Sequence, residues 1–202
     1  FSSGLNFDIA HCNFHLRGKD SDRDQQFVEE LSRKYKVKCF VKHFDTEKLQ
    51  ENSGKSVEMV AREIRYQWFN ELGKNYDYIV TAHHANDNAE TILLNISRGT
   101  GLKGLAGIPI INGKIIRPLL SITANEIKLY LEKNELDFCE DYTNHENKYH
   151  RNKIRNIILP ELKNVNESII QTINKESLIW KNQYQFYEYQ INRLIKKYLH
   201  KQ

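Results

Sequence analysis

The stretch from Thr81 to Gly107 carries the residue types best suited to chemistry: two adjacent histidines, two carboxylates and an arginine, followed by a glycine-rich turn. Within it, apolar residues repeat at helical spacing, at Ala89, Ile92, Leu93 and Ile96. The opposite side of this predicted helix carries Asp87, Glu90, Thr91 and Arg98. Taken alone, the pattern is more typical of a solvated helix face than of a site.

The polar residues at the start of this helix allow two interpretations. His83 and His84 are adjacent, so their side chains point in different directions, which is a poor arrangement for a shared metal ion. Asp87 is suited to holding magnesium through water, because magnesium favours one or two carboxylates together with phosphates. Asp87 also lies in the first turn, where a carboxylate caps a helix. The sequence leaves both roles open.

Two pairs of arginines are spaced to act together. Arg62 and Arg65 lie three residues apart on a predicted helix, so they share a face suited to gripping phosphate oxygens or simply to solubility. Arg151 and Arg155 lie four apart and could converge on one anion, with Asn152 beside them. For this second pair the alternative is a salt bridge to the preceding acids, Glu140 or Asp141.

These residues need elements to position them, and the pattern predicts strands alternating with helices. The predicted strands are Phe7–Cys12, Lys38–Phe44 and Tyr78–Thr81, and the predicted helices begin at the capping sequence Ser21–Asp24, at Ser56 and after His84. This order favours a parallel sheet, with ligands beyond the carboxyl ends of its strands. Those ends would carry His11–Asn13, Phe44–Asp45 and Thr81–His84.

The second half of the chain departs from this alternation. A turn is predicted at Asn112-Gly113, a capping box at Thr123 opens another helix, and Pro160 is expected to end the helix that carries Arg151. A long helix follows from Asn166, with apolar and aromatic residues near heptad spacing among lysines. We interpret its surface as a packing face in preference to an RNA platform.

Composition narrows the function classes. The chain has 202 residues and a formal net charge of +4, which is compatible with nucleic-acid binding without demanding it. No run of residues is long and apolar enough to span a membrane, and three widely spaced cysteines predict reduced thiols and a cytoplasmic protein.

Gly54-Lys55-Ser56 lacks the earlier glycine of a phosphate-binding loop, so Ser56 is interpreted as a helix cap.

In combination these motifs resemble the tRNA(Ile)-lysidine synthetase family of the pyrophosphate-loop ATPase superfamily. The matching blocks run in family order: His11–Arg17, Ala61–Tyr66, Thr81–Thr91, Arg98–Leu105, Arg117–Leu119, Glu140-Asp141 with Asn144, and Arg151–Arg155 with Pro160. Phe14 stands where the family's second histidine is usual. The family's SGGxDS phosphate loop is absent, and we expect it upstream of Phe1, which would leave the chain as given inactive.

The resemblance implies an α/β fold with a parallel sheet and helices on both faces, related to the adenine nucleotide α-hydrolase and Rossmann folds, followed by a helical C-terminal segment. It also implies an ATP-dependent ligase that adenylates the wobble cytidine of tRNA(Ile) and then joins lysine to C2, with Mg²⁺ and ATP. The expected domains are a nucleotide-binding domain over 1–120, a helical completion over 121–163 and a helical arm over 164–202.

Site roles follow from the same resemblance. Asp87, Arg62 and Arg65 are expected to be catalytic, with Asp87 also meeting magnesium or the lysine ammonium. The ATP site would use His11, Cys12, Asn13, Arg62 and His83. The cytidine and lysine pocket would use His84, Asp87, Glu90, Arg98 and Gly99. Contacts to tRNA would come from Arg151, Asn152 and Arg155.

The alternatives are another pyrophosphate-loop enzyme, such as a tRNA thiolase, or a nonenzymatic nucleotide- or RNA-binding module. Isolated cysteines argue against the thiolase, which usually carries cysteine pairs. We expect no membrane partner, and the sequence leaves a homodimer open.

Overall fold

A computed structural model describes residues 4–51, 53–139 and 150–198. The strands are β1 (Ile9–Asn13), β2 (Cys39–His43), β3 (Ile79–Val80), β4 (Ile111–Asn112) and β5 (Ile115–Ile116). The helices are α1 (Lys19–Tyr35), α2 (Thr46–Glu51), α3 (Val57–Leu72), α4 (Ala85–Ser97), α5 (Leu102–Leu105), α6 (Ala124–Lys133), α7 (His150–Lys153), α8 (Leu159–Val165) and α9 (Ile169–Tyr198). The chain forms two compact units, Phe1–Ile79 and Val80–Gln202.

The first unit contains a parallel strand pair between helices. β1 and β2 run side by side, with Asn13 opposite His43, and Phe44 N donates to Asn13 O at 2.9 Å. Successive side chains alternate between faces. Asn13 bonds to α1 on one face, whereas Phe44, on the other, meets Trp68 of α3 with ring centroids 6.3 Å apart. The α/β class with helices on both faces of a parallel pair is confirmed.

The two predicted helix starts in this unit have different outcomes. Ser56 caps α3, and its Oγ accepts from Met59 N at 3.3 Å, as predicted. The predicted start of α1 at Ser21 is wrong, because the helix begins at Lys19 after Gly18. Ser21 lies buried inside the first turn, where its Oγ accepts from Arg17 N at 3.2 Å. The hydroxyl therefore serves the preceding loop and not a capping box.

The second unit begins at β3, which joins a three-stranded sheet in the order β3-β5-β4. β4 and β5 are antiparallel around the predicted turn, where Gly113 has φ +58°. Thr81 N donates to Ile116 O at 3.0 Å. β3 thus pairs with β5 and is not a third strand of the β1–β2 pair. Of the three expected strand ends, those of β1 and β2 lie together in the first unit, whereas Thr81–His84 belongs to the second.

The core of the second unit forms around α4. Ala89 and Ile92 of its predicted apolar stripe are fully buried, whereas Ile96 is half exposed. Ala85 and Ala89 pack with Ile154, Leu159 and Ile170 from the later helices. The small side chains of α4 allow these helices to approach closely. As a result α4 is covered on more than one side.

A continuous helical run joins α7 to α8 through a π turn at Ile154–Ile158. Pro160 does not end a helix here, contrary to the prediction; it lies in the first turn of α8. Leu159 N already bonds to Ile154 O five residues back, so the proline, which has no N–H, falls where the hydrogen-bond register changes. The π turn therefore accommodates the proline without breaking the run.

The capping box at Thr123 and the long final helix are both confirmed. Thr123 Oγ1 accepts from Glu126 N at 3.2 Å, and α9 runs for 30 residues. The start of α9 packs on α4, whereas Tyr187, Leu194 and Tyr198 of its second half are more than half exposed. None of the helices in the described residues is long and apolar enough to cross a membrane.

Candidate functional site

The first turn of α4 is held by a reciprocal cap. His84 Nδ1 accepts from Asp87 N at 3.3 Å, and the Asp87 carboxylate accepts from His84 N at 3.0 Å. The imidazole replaces the serine or aspartate usual at this position. Thr91 Oγ1 donates to Asp87 O at 2.8 Å one turn later. Both His84 and Asp87 therefore have a defined structural role at the start of the helix.

Glu90, which the resemblance places in the substrate pocket, is buried and does not lie on the solvated helix face that the pattern alone favours. It is 1% exposed, and its carboxylate accepts from Arg151 Nε at 2.7 Å and from Arg155 at Nε (2.6 Å) and Nη2 (3.0 Å). Arg151 Nη2 also donates to Asp87 Oδ1 at 3.1 Å. The run that carries both arginines covers the polar side of α4, so hydrophobic periodicity alone could not reveal this burial.

These four side chains, Asp87, Glu90, Arg151 and Arg155, form an acid–arginine cluster. Two carboxylates face two guanidiniums, so the formal charges cancel, as a buried ionic group requires. Both arginines converge on the carboxylate of Glu90, so the structure shows a salt bridge within the protein, with a partner that the sequence did not indicate. The alternative partners, Glu140 and Asp141, lie outside the described residues, as does Asn144 of the same motif.

The cluster does not fit a protein-bound magnesium ion. Asp87 already accepts from a backbone N–H through Oδ2 and from a guanidinium through Oδ1, and Glu90 is matched by both arginines. Magnesium needs near-octahedral oxygen ligands, and a guanidinium would compete for the same oxygens. Within 4–51, 53–139 and 150–198, no three metal-ligating side chains come together. We therefore derive no step through a metal bound at Asp87.

The other predicted pocket residues lie around α4 without joining the cluster. His83 Nδ1 lies 3.0 Å from Thr81 Oγ1, so the adjacent histidines have different partners, as expected. Arg98 and Gly99 are exposed at the end of α4, where Gly99 has φ +75°. The glycine ends the helix in the left-handed conformation, as predicted. Asn152, the residue after Arg151 in sequence, is half-buried.

In the first unit, the predicted ATP-binding residues on β1 differ in accessibility. Asn13 is 1% exposed; its Nδ2 donates to Asp22 Oδ1 (3.2 Å) and Gln25 Oε1 (3.0 Å), and its Oδ1 accepts from His15 N. Asn13 therefore fixes the end of β1 against α1. Burial lowers the pKa of His11, and burial raises the pKa of Cys12 to about 11. At neutral pH the Cys12 thiol is protonated and uncharged.

Arg62 and Arg65 take different positions on α3. Arg65 is half-buried with its guanidinium 5.1 Å from the Phe14 ring centroid, at the carboxyl end of β1. Arg62 is exposed and lies 5.0 Å from the Tyr66 ring of its own helix. In the part of the chain that the structure describes, no carboxylate lies within salt-bridge distance of Arg65. Arg65 is thus a cation at a strand end, whereas Arg62 faces outward.

A histidine pair that the sequence did not predict lies at this strand end. His15 Nε2 and His43 Nδ1 are 2.9 Å apart, with their rings stacked at 5.0 Å. His15 adopts φ +52°, which a histidine tolerates better than a branched residue. The two histidines are 28 positions apart, and the parallel register of β1 and β2 is what brings them together.

The fold and these motifs agree with the comparison to known families. The PP-loop domain family matches residues 2–162. The chain therefore belongs to the PP-loop domain family, a family of ATP-binding domains.

Several proteins that are similar to this chain over most of its length are named for the same activity. The chain is 44% identical over 180 residues to the tRNA(Ile)-lysidine synthase of Bacteroides thetaiotaomicron, covering 88% of this chain and 41% of that protein. It is 45% identical over 154 residues to the tRNA(Ile)-lysidine synthase of Chlorobaculum tepidum, covering 75% of this chain and 46% of that protein. The chain thus spans less than half the length of these relatives.

A solved structure supports the fold. The U34-tRNA thiolase NcsA from Methanococcus maripaludis, determined with its [4Fe-4S] cluster, superposes with a TM-score of 0.70 at 17% identity, over 87% of this chain and 63% of that one. Similarity at this identity concerns the fold alone.

Proposed function

We propose that this chain is the PP-loop part of an enzyme that joins lysine to the wobble cytidine of tRNA(Ile), using ATP. The observation that carries the proposal is the 44–45% identity to enzymes named for this activity, over 88% and 75% of this chain. Within the cluster, Asp87 keeps 16% of its side-chain surface exposed, so its carboxylate is the group that we propose receives the lysine ammonium.

In the first step, the C2 carbonyl oxygen of cytidine attacks the α-phosphorus of ATP, and pyrophosphate leaves. Negative charge builds up on the phosphate oxygens, so a nearby cation stabilises the transition state. We assign this role to Arg65, because it lies at the end of β1 with no carboxylate partner among the described residues. In the first unit, the ATP site is proposed to be shaped by Arg62, His11, Cys12 and Asn13, and the uncharged Cys12 thiol would not repel phosphate. For His83, which belongs to the second unit, the ATP-binding role stays a prediction from the resemblance.

In the second step, the lysine amine attacks C2, and AMP leaves. Only the neutral amine is a nucleophile, so a base must take the proton of the lysine ammonium. We assign this role to Asp87, with Glu90 and His84 holding it in place and Arg98 and Gly99 lining the pocket. Magnesium enters as the counter-ion of the ATP phosphates and not as a ligand of Asp87.

The same arginines are proposed to meet the tRNA. Arg151 and Arg155 keep 35% and 30% of their side-chain surface exposed, while their inner edges hold Glu90. A guanidinium carries a positive charge and five N–H donors, so the exposed part of each side chain suits contact with a tRNA phosphate. Asn152, between them, is assigned to the same contact.

The test is transfer of radiolabelled lysine to unmodified tRNA(Ile) by the natural full-length polypeptide, with ATP and magnesium. We expect label that requires the wobble cytidine, loss of transfer in Asp87→Asn, and normal transfer in the control Asp77→Asn, which changes an exposed acid. Full transfer by Asp87→Asn would contradict its role. Pyrophosphate release without lysine uptake would indicate another nucleophile, and no ATP turnover would indicate a binding module.

A further inference from the structure

Asn88 lies between the two acids of α4 in sequence, but its side chain serves the opposite side of the helix. It is 3% exposed, and its Nδ2 donates to Asn174 Oδ1 at 2.9 Å and to Ser177 Oγ at 3.3 Å. Its Oδ1 accepts from Ile108 N at 2.7 Å. One side chain thus links α4 to α9 and to the segment that follows α5.

Asn174 continues this link to the first turn of α4. Its Nδ2 donates to Ala85 O at 3.0 Å and to Ile170 O at 2.7 Å, and Ser177 Oγ donates to Asn174 O at 2.7 Å. We refer to Asn88, Asn174 and Ser177 as the amide network. These hydrogen bonds use both the donor and the acceptor atom of each amide, so the network specifies one arrangement of α9 against α4.

The network acts on the same helical turn that carries the proposed base. Ala85 begins α4 directly after His84, and Asp87 closes the cap of that turn. Asn88 is one residue beyond Asp87, about 100° further around the helix, so the network and the carboxylate lie on different sides of one backbone. Any shift of the first turn therefore moves the carboxylate.

The approach of the neighbouring backbone shows how closely this arrangement is packed. Gly107 has φ +68°, and a Cβ at that position would lie 2.2 Å from Asn88 Oδ1. The chain passes over the amide at a distance that only glycine allows. The amide oxygen thus determines the position of the Gly107–Ile108 backbone.

We infer that Asn174 and Ser177 of α9, acting through Asn88 and Ala85, are positioning residues that hold Asp87 for lysine transfer. This inference rests on the proposed function and adds to it: the start of α9 belongs to the catalytic scaffold. Neither α9 residue lies in a motif of the family resemblance. The pattern of apolar residues in α9 gives no signal for them.

The test separates the two half-reactions in the full-length polypeptide carrying Asn174→Ala, with Asn182→Ala, an exposed residue two turns further along α9, as the matched control. Pyrophosphate release is measured in a single turnover without lysine, and lysine transfer is measured as kcat/KM for lysine. We expect Asn174→Ala to lower lysine transfer by about tenfold to a hundredfold, the effect of a small misplacement, with pyrophosphate release changed less than about twofold. Asn182→Ala should change neither.

A merely structural role gives a different result. Loss of folded enzyme would lower both half-reactions by one common factor, and either that result or no change in lysine transfer would overturn the inference. If Asn174→Ala does not fold, Ser177→Ala, which removes only one partner of Asn88, is measured in the same way. Wild-type protein that transfers no lysine would instead overturn the proposed function, and the inference with it.

Discussion

Replacing Glu90 with glutamine removes the charge at the centre of the acid–arginine cluster while keeping the shape of the side chain. One acceptor oxygen becomes an NH₂ group that faces a guanidinium N–H. Asp87 then remains as a carboxylate partner of Arg151, at 3.1 Å, and of Arg155, at 3.6 Å. Glu90→Gln is therefore expected to destabilise the protein strongly.

The magnitude follows from burial. Removing one partner of a buried ion pair costs about 3–5 kcal/mol when the other charge is left fully desolvated. Here the arginines keep 35% and 30% of their side-chain surface exposed, so water compensates for part of the loss. We expect a decrease of about 2–3 kcal/mol in the free energy of unfolding, which corresponds to a Tm lower by about 4–12 °C.

The assay is urea and thermal unfolding, with Glu63→Gln as the control. Glu63 pairs with Lys55 at 2.7 Å, as short as the pairs of Glu90, but both side chains are about half exposed. Such pairs contribute at most about 1 kcal/mol and weaken in salt. If Glu90→Gln cost no more than Glu63→Gln, or if added salt removed the difference, Glu90 would not be a buried, paired carboxylate.

Three further predictions concern single side chains. Gly107→Ala and Gly113→Ala both place an alanine in the left-handed region, at a cost of about 1–2 kcal/mol. Gly107→Ala should destabilise the protein far more, because its Cβ would also lie 2.2 Å from Asn88 Oδ1, whereas a Cβ at Gly113 would meet no atom within 4 Å. Comparing the unfolding curves of the two variants checks this prediction. The Tyr76 hydroxyl lowers the pKa of Asp8, so its stabilising effect is present above the unfolded pKa and lost as pH falls; Tyr76→Phe should raise the pKa of Asp8 in an NMR titration. Burial raises the pKa of Cys12 to about 11, so iodoacetamide should alkylate this thiol slowly at pH 8, and rapid alkylation of the folded protein would contradict this. The stabilisation that comes from keeping the thiol protonated should be lost as the pH rises from about 9 to about 11.

Local signals in the sequence predicted the local structure well. Ser56 and Thr123 cap their helices as expected, because a hydroxyl placed just before a helix can accept a hydrogen bond from a free backbone N–H of the first turn. The α/β class followed from alternating strands and helices. The predicted helix start at Ser21 is wrong because α1 begins about one turn earlier, after Gly18. The predicted helix end at Pro160 is wrong because the preceding π turn accommodates the proline.

The candidate site was predicted only as a set of residues. Asp87, Glu90, Arg151 and Arg155 were all identified, but their pairing joins positions more than 60 residues apart. Periodicity describes one apolar face and cannot show that a later helix covers the polar face as well. The role of Asn174 could not be predicted for a related reason, because nothing in the sequence of α9 shows which asparagine has a buried partner on another helix.

The π turn at Ile154–Ile158 also determines how this segment can change in length. It places Arg151 and Arg155 over Glu90 while Leu159 packs in the core, so one polar and one apolar surface are kept in phase across the turn. Because the turn closes with a hydrogen bond five residues back, it holds one residue more than an α-helical turn, and deleting that residue would restore the four-residue step of an α-helix. A second deletion, which an α-helix cannot absorb, would rotate Leu159 by about 100° relative to Arg151 and separate the ion pairs from the core, so this segment is expected to tolerate the loss of one residue but not of two.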